Sequence, residues 1–179
     1  APARQDTKRG IMELFPNGRL YELYGSTEAG WVTLLRPHEQ LRKLGSVGRE
    51  WAGSGAIRLL DEQRREVPDG EVGELFSRTA YVFDGYWRNP EKTTEALDGE
   101  WCSVGDMARR DADGYIWLVD RKSNMIISGG ENVYPSEVEA VKAGNEKLLN
   151  FLTGQVMKSA TSKPNPKQVT ELLRARLIP

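Results

Sequence analysis

Four polar features of this chain have the residue types to handle a charged, hydroxyl-bearing ligand. The first is Gly25-Ser26-Thr27-Glu28. A glycine lets backbone approach a ligand closely. A threonine hydroxyl beside a glutamate supplies a donor and a hard oxygen ligand, a pair suited to a phosphate with magnesium. The second is Asp106, expected as an exposed carboxylate for hydroxyls at the end of the apolar run that opens at Trp101. The third is Arg121, a guanidinium fork for anions. The fourth is the glycine-rich turn Ser128-Gly129-Gly130-Glu131-Asn132. Each is a weak signal alone: Gly-Ser-Thr-Glu is more often a loop with a helix cap. On spacing alone, the stretch from Asp98 to Glu139 reads equally well as a β-meander with polar turns.

The elements that must carry these groups follow from periodicity. Asp6–Phe15 reads as a helix with Ile11, Met12, Leu14 and Phe15 on its apolar side. Pro16-Asn17-Gly18 is a turn, and Leu20–Tyr24 a strand that delivers the Gly-Ser-Thr-Glu loop. Trp31–Leu35, Ala56–Leu60, Val72–Ser77, Tyr115–Val119 and Met125–Ser128 read as further strands, with turns at Pro68-Asp69-Gly70 and Asp111–Gly114. Many short strands split by turns favour a small β-barrel or a curled sheet. Tyr81–Trp87 reads as core and scaffold, and Asn89-Pro90 starts a short helix. Tyr134-Pro135-Ser136-Glu137 starts another, with proline early and an acid in its first turn.

At 179 residues, with 39% hydrophobic and 28% charged residues, the chain has the make-up of one large or two small globular domains. No apolar run approaches the roughly 20 residues that cross a bilayer. Ala1–Gly10 is polar and has no signal-peptide core. The single cysteine, Cys102, excludes an internal disulfide and fits a reducing cytoplasm. Its place in a strand run favours a buried structural thiol over a nucleophile. His38, the one histidine, reads as solvated. Lys142–Pro179 carries seven basic residues against Glu146 and Glu171, a net +5 in a chain of net −1, so the body is acidic and the tail basic.

The motifs Tyr24-Gly25-Ser26-Thr27-Glu28, Gly73-Glu74-Leu75, Gly85-Tyr86-Trp87, Gly105-Asp106, Asp120-Arg121 and Ser128-Gly129-Gly130-Glu131-Asn132 occur in that order. From about Leu14 to Val141 the chain therefore resembles the AMP-forming acyl-CoA synthetases of the adenylate-forming superfamily. The resemblance implies an α+β fold. Its expected parts are a small distorted β-barrel subdomain, a β-hairpin starting a mobile C-terminal domain, and a helical hairpin tail. It implies nucleotide contacts from Tyr24, Gly25, Ser26, Thr27, Asp106 and Arg121, with Tyr24 stacked on adenine and Asp106 and Arg121 at the ribose end. Thr27 and Glu28 take the catalytic roles, Thr27 on the AMP phosphate and Glu28 on Mg²⁺. Ser128, Gly129, Gly130 and Glu131 line the path of CoA. ATP or AMP, Mg²⁺, CoA and a carboxylic acid are the implied ligands, in a reaction that adenylates the acid and then forms its thioester.

Three departures accompany the resemblance. Ser123 and Asn124 stand where the family's hinge carries a charged residue. The Ser/Thr/Gly-rich phosphate loop is absent, and so is the lysine of the C-terminal Gly-Lys turn. Neither Lys163 nor Lys167 lies in such a context. The expectation is a ligase fragment that is not competent alone. From Ala143 the pattern changes. Leu148, Leu149, Leu152 and Val156 mark one amphipathic helix, and Asn165-Pro166 opens a second with Val169, Leu172, Leu173 and Leu177. Residues 143–178 are similar to the C-terminal tail of the tRNA-engaging subunit of the tRNA-dependent Asp/Glu amidotransferase. In that family the tail is a small helical module that helps engage tRNA. The domains expected are thus 1–120, 121–141 and 142–179. The alternative function is an RNA- or protein-binding module built on the basic tail.

Overall fold

A computed structural model describes residues 3–128, 131–159 and 164–177. The chain divides into two compact units, Ala1–Leu118 and Val119–Pro179.

The first unit opens with helix α1 (Gln5–Leu14). Strands β1 (Glu22–Ser26) and β2 (Gly30–Leu35) then form an antiparallel hairpin. Next come β3 (Ala56–Leu60), β4 (Val72–Arg78), helix α2 (Pro90–Ala96), and the short pair β5 (Leu97–Asp98) and β6 (Trp101–Cys102). Strands β7 (Asp106–Arg110) and β8 (Ile116–Arg121) follow, and the chain passes from one unit to the other inside β8. The sheet runs in the order β5-β6-β4-β7-β8, with β3 also paired to β4. β4 is the spine: Leu75 and Phe76 point to opposite faces and are both buried. Leu75 packs with Val32, Val47, Ile57, Leu59, Ala108 and Ile116 in the core, and Phe76 lies under the Arg64 guanidinium at 4.5 Å. Burying one such side chain contributes about 1.5–3 kcal/mol.

The sheet is open and forms no closed barrel among the described residues, which corrects the barrel expectation. Short spaced strands are compatible with either outcome, because closure depends on pairing between the outermost strands. A second correction concerns Asp106. It heads a strand instead of ending one, and it is buried. The sequence Asp-Met-Ala-Arg-Arg of β7 has no period-two alternation, so pairing with β4 makes it a strand (Val72 opposite Arg109, Glu74 opposite Met107). Its arginines are held locally: Arg110 donates to the Ile57 carbonyl at 2.7 Å, and Arg109 lies 5.1 Å over the Trp117 ring. Of the Tyr81–Trp87 aromatics, Phe83 packs on the core with Val82, whereas Tyr81, Tyr86 and Trp87 are exposed.

Polar burial organises the turn before β8. The Tyr115 hydroxyl donates to Glu39 at 2.7 Å, and Arg49 reaches the same carboxylate at 3.2 Å. Burial alone would raise the Glu39 carboxyl, but these donors and the Arg36 N–H hold it below its ordinary range. His38, beside it, is solvated as its polar loop suggests, with a side chain 71% exposed.

The second unit continues through a 3-10 turn at Lys122–Asn124 into the antiparallel hairpin of β9 (Ile126–Ser128) and β10 (Glu131–Val133). Helices α3 (Pro135–Lys142), α4 (Glu146–Ser159) and α5 (Pro166–Leu177) follow. Val141, Leu149 and Leu152 form their core with Val138, Leu148, Leu173 and Leu177 around it. Asn165 caps α5 through its side chain on the Lys167 N–H at 2.9 Å, as Asn165-Pro166 suggests. Val169 is buried, but Leu172 is 64% exposed and leaves the expected stripe. Among the described residues no helix is long and apolar enough to cross a membrane.

Two glycines with positive φ give a paired test of the first unit. A Cβ at Gly48 (φ +99°) would fall 2.2 Å from the Leu34 carbonyl carbon, whereas one at Gly114 (φ +80°) meets nothing within 4 Å. Gly114→Ala therefore carries only backbone strain, about 1–2 kcal/mol. Gly48→Ala must also displace β2, and urea denaturation is expected to show a loss of more than about 3 kcal/mol.

Candidate functional site

The β1–β2 hairpin shapes the first candidate group. Its register shifts between Tyr24 and Gly25, and a Cβ on Gly25 would lie 2.1 Å from the Gly30 carbonyl oxygen. Only glycine lets the two strands close at that point. Ser26 uses its hydroxyl locally, accepting the Ala29 N–H at 3.0 Å across the turn. Thr27 is exposed at the tip, and Glu28 is half-buried. The turn is clamped from one side. The Phe83 N–H donates to the Glu28 carbonyl at 2.9 Å, Thr79 donates to the Ala29 carbonyl at 2.7 Å, and the Tyr86 hydroxyl donates to Glu28 Oε1 at 2.7 Å.

Asp106 comes to this hairpin from 82 residues further along the chain, where the Tyr24 hydroxyl donates to its Oδ2 at 2.6 Å. The approach to Asp106 is held by a relay from the sheet spine. Ser103 donates to Glu74 Oε1 at 2.7 Å and accepts the Gly105 N–H at 3.0 Å, with Gly105 at φ +77°. Cys102, at the end of β6, is buried as expected. Burial first, and the Glu28 carboxylate second, push its thiol up to about 11. A thiol held neutral in this way is structural, because the thiolate is the nucleophilic form.

The other candidates lie in the second unit. Arg121 closes β8 with its side chain exposed, and its backbone N–H donates to Asp120 Oδ1 at 2.7 Å. Asp120 also accepts from Asn124 at 2.9 Å and from the Ser136 N–H at 3.1 Å, in the first turn of α3. Burial opposes the Asp120 charge, yet these donors hold its carboxyl low. Ser128 and Glu131 are partners in the β9–β10 hairpin, while Gly129 and Gly130 lie outside the described residues. The structure thus brings Tyr24 and Asp106 together and places Gly25, Ser26, Thr27 and Glu28 in the adjoining turn. Sequence reasoning passed over Glu74, Ser103 and Tyr86 as site-building residues. The one signal for Tyr86 was its place beside Gly85.

Among the described residues no three His, Cys, Asp or Glu side chains gather as a metal cage. One half-buried carboxylate, Glu28, fits the way Mg²⁺ is usually held, by one or two carboxylates with phosphates and water.

Residues 1–87 match the AMP-binding enzyme family, and residues 130–177 match the GatB domain. A 2-succinylbenzoate–CoA ligase of Geobacillus kaustophilus is 42% identical over 146 residues, which cover 76% of this chain and 29% of that protein. An amide bond synthetase from Marinactinospora thermotolerans superposes with a TM-score of 0.70 at 33% identity, over 80% of this chain and 30% of that one. The O-succinylbenzoate–CoA synthetase of Bacillus subtilis, solved with ATP and magnesium, gives a TM-score of 0.68 at 28% identity, over 81% and 30%. The chain is a segment of an adenylate-forming enzyme joined to a GatB-like tail. It spans less than a third of the length of each of these relatives.

The Tyr24–Asp106 bond has a direct test. Tyr24→Phe leaves the buried carboxylate with one donor fewer, which costs about 1–3 kcal/mol. Denaturant unfolding is expected to show that loss, and the double variant with Asp106→Asn is expected to lose less than the two single variants combined.

Proposed function

We propose that residues 14–141 form the nucleotide-handling end of an ATP-dependent carboxylic acid–CoA ligase. The observation that carries this reading is the 2.6 Å bond between Tyr24 and Asp106, which joins two of the family's motif positions across 82 residues. Tyr24 presents its ring to adenine while its hydroxyl orients Asp106. Asp106 then accepts hydrogen bonds from the ribose diol, and Arg121 adds a guanidinium for ribose or phosphate oxygens. Gly25 and Ser26 shape the turn, so that backbone can come close to the nucleotide. Thr27, exposed at the tip, donates to the α-phosphate. Glu28 supplies the carboxylate for Mg²⁺, which when bound neutralises phosphate charge. Ser128, Gly129, Gly130 and Glu131 line the approach of CoA.

The division that follows is 1–120 for the end of the large domain, 121–141 for the start of a mobile small domain turning at Ser123, and 142–179 for the tail. A reducing cytoplasm suits the single buried thiol. The adenylation transition state builds charge at the α-phosphate, and its stabilisation depends on preplaced positive groups. These 179 residues contain neither the Ser/Thr/Gly-rich loop nor the Gly-Lys turn of the family. Removing one such group costs on the order of 10²–10³ in rate. Tested as it stands, the chain therefore binds nucleotide weakly and does not turn over.

A second reading attaches to the tail, where Lys142, Lys167, Arg174 and Arg176 are exposed on helices α3 and α5. Such a face suits RNA phosphates. A gel shift of tRNA that weakens as salt rises supports it, and a shift indifferent to salt contradicts it.

Calorimetric titration with AMP is the test of the first reading. Weak saturable binding abolished by Asp106→Ala is expected, with no acid-dependent pyrophosphate exchange. Submicromolar binding that survives Asp106→Ala overturns the residue assignment. Turnover near about 1 per second or above overturns the dependence on the missing groups.

A further inference from the structure

Glu28 sits on a two-stranded turn, where a glutamate side chain has several rotamers open to it. Its orientation is set by a closed loop of contacts. The Phe83 N–H holds the Glu28 carbonyl at 2.9 Å, the Phe83 ring meets the Tyr86 ring edge-on at 4.8 Å, and the Tyr86 hydroxyl returns to Glu28 Oε1 at 2.7 Å. Phe83 is anchored in turn against the hydrophobic core.

Tyr86 is fixed independently of Glu28. Its backbone N–H donates to the Thr93 hydroxyl at 2.9 Å, and that hydroxyl donates to the Asn89 carbonyl at 2.9 Å. The Tyr86 carbonyl accepts the Asn89 N–H at 3.2 Å. Asn89 caps α2 through the Lys92 N–H, with Pro90 at the first helical position. Gly85, at φ +144°, lets the segment turn under Thr93, which a Cβ there would meet at 2.8 Å. The start of a short helix thus sets where a phenol points. The phenol occupies one of the roughly four lone-pair sites of a carboxylate, so the hydrogen bond orients Glu28 without replacing it as a ligand.

We propose that Tyr86 is a positioning residue that orients the Glu28 carboxylate toward a nucleotide-bound divalent cation. The proposal rests on Glu28 being the metal carboxylate of the proposed function. Outer-shell partners of ligating carboxylates are typically worth 10–100-fold in metal affinity. The effect on nucleotide held without metal should be negligible.

The test titrates Mn²⁺ into the full chain with ATP, read by water-proton relaxation, for the wild type, Tyr86→Phe and Glu28→Gln. AMP affinity without metal is measured for each. Tyr86→Phe is expected to weaken Mn²⁺ binding in the ATP complex about tenfold or more, with metal-free AMP affinity within about twofold of wild type. Thr93→Val, which removes the anchor of Tyr86, is expected to weaken Mn²⁺ in the same direction. If Glu28→Gln weakens Mn²⁺ and Tyr86→Phe does not, the positioning role is overturned while the metal assignment stands. If neither variant changes the titration, or the wild type shows no ATP-dependent Mn²⁺ signal, the Glu28 assignment fails and the positioning role with it. An equal loss of metal-free AMP binding in Tyr86→Phe also overturns the proposal, since it reduces the residue to fold support.

Discussion

A carboxylate taken out of water must be supplied with donors, and that requirement at Asp106 ties the first unit together. Burial of an unsatisfied charge costs several kcal/mol. The Tyr24 hydroxyl on Asp106 therefore fixes the β1–β2 hairpin against the head of β7. β7 takes its register from β4, and Glu74 of β4 holds Ser103 and, through it, Gly105 on the approach to the same carboxylate. Hairpin, spine and turn are thus set by the satisfaction of one polar group. A hydrophobic core leaves residues free to slide by small amounts. A hydrogen bond of 2.6 Å does not, and that geometric demand suits a place where a ligand's hydroxyls must be met.

The elements with strong local signals were legible in the sequence. The α1 helix, the β1–β2 hairpin, the strands β3 and β4, the proline-led starts of α2 and α3 and the Asn165 cap all form where turn chemistry and periodicity put them. What was not legible depends on distant partners. Asp-Met-Ala-Arg-Arg has no strand pattern of its own, and Asp106 reads as exposed until Tyr24 is known to reach it. Barrel closure is likewise a property of edge pairing between strands far apart in sequence. The candidate residues were named through motif order. The bonds that join them, Tyr24 to Asp106 and Tyr86 to Glu28, span 82 and 58 residues and leave no local trace.

The second unit shows how two sequence histories meet in one small core. The tail was expected to begin near Ala143, yet the GatB domain match begins at residue 130. Packing explains the earlier start. Val138 and Val141 of α3 join Leu149 and Leu152 of α4 and Leu173 and Leu177 of α5 in one apolar cluster, so α3 belongs physically with the tail helices. A cluster this small is marginal, and helices of these lengths depend on packing more than on their own propensity. The Thr153 and Thr170 hydroxyls, 3.1 Å apart, add a polar pin between α4 and α5.

The central claim is that the Tyr24–Asp106 corner is where this chain meets a nucleotide. Amide chemical-shift mapping of the uniformly labelled chain during an AMP titration tests it most directly. The account predicts saturable shifts centred on 24–30 and 103–107, with smaller ones at 83–86. Shifts confined to 146–177, or none at AMP concentrations well into the millimolar range, would contradict it.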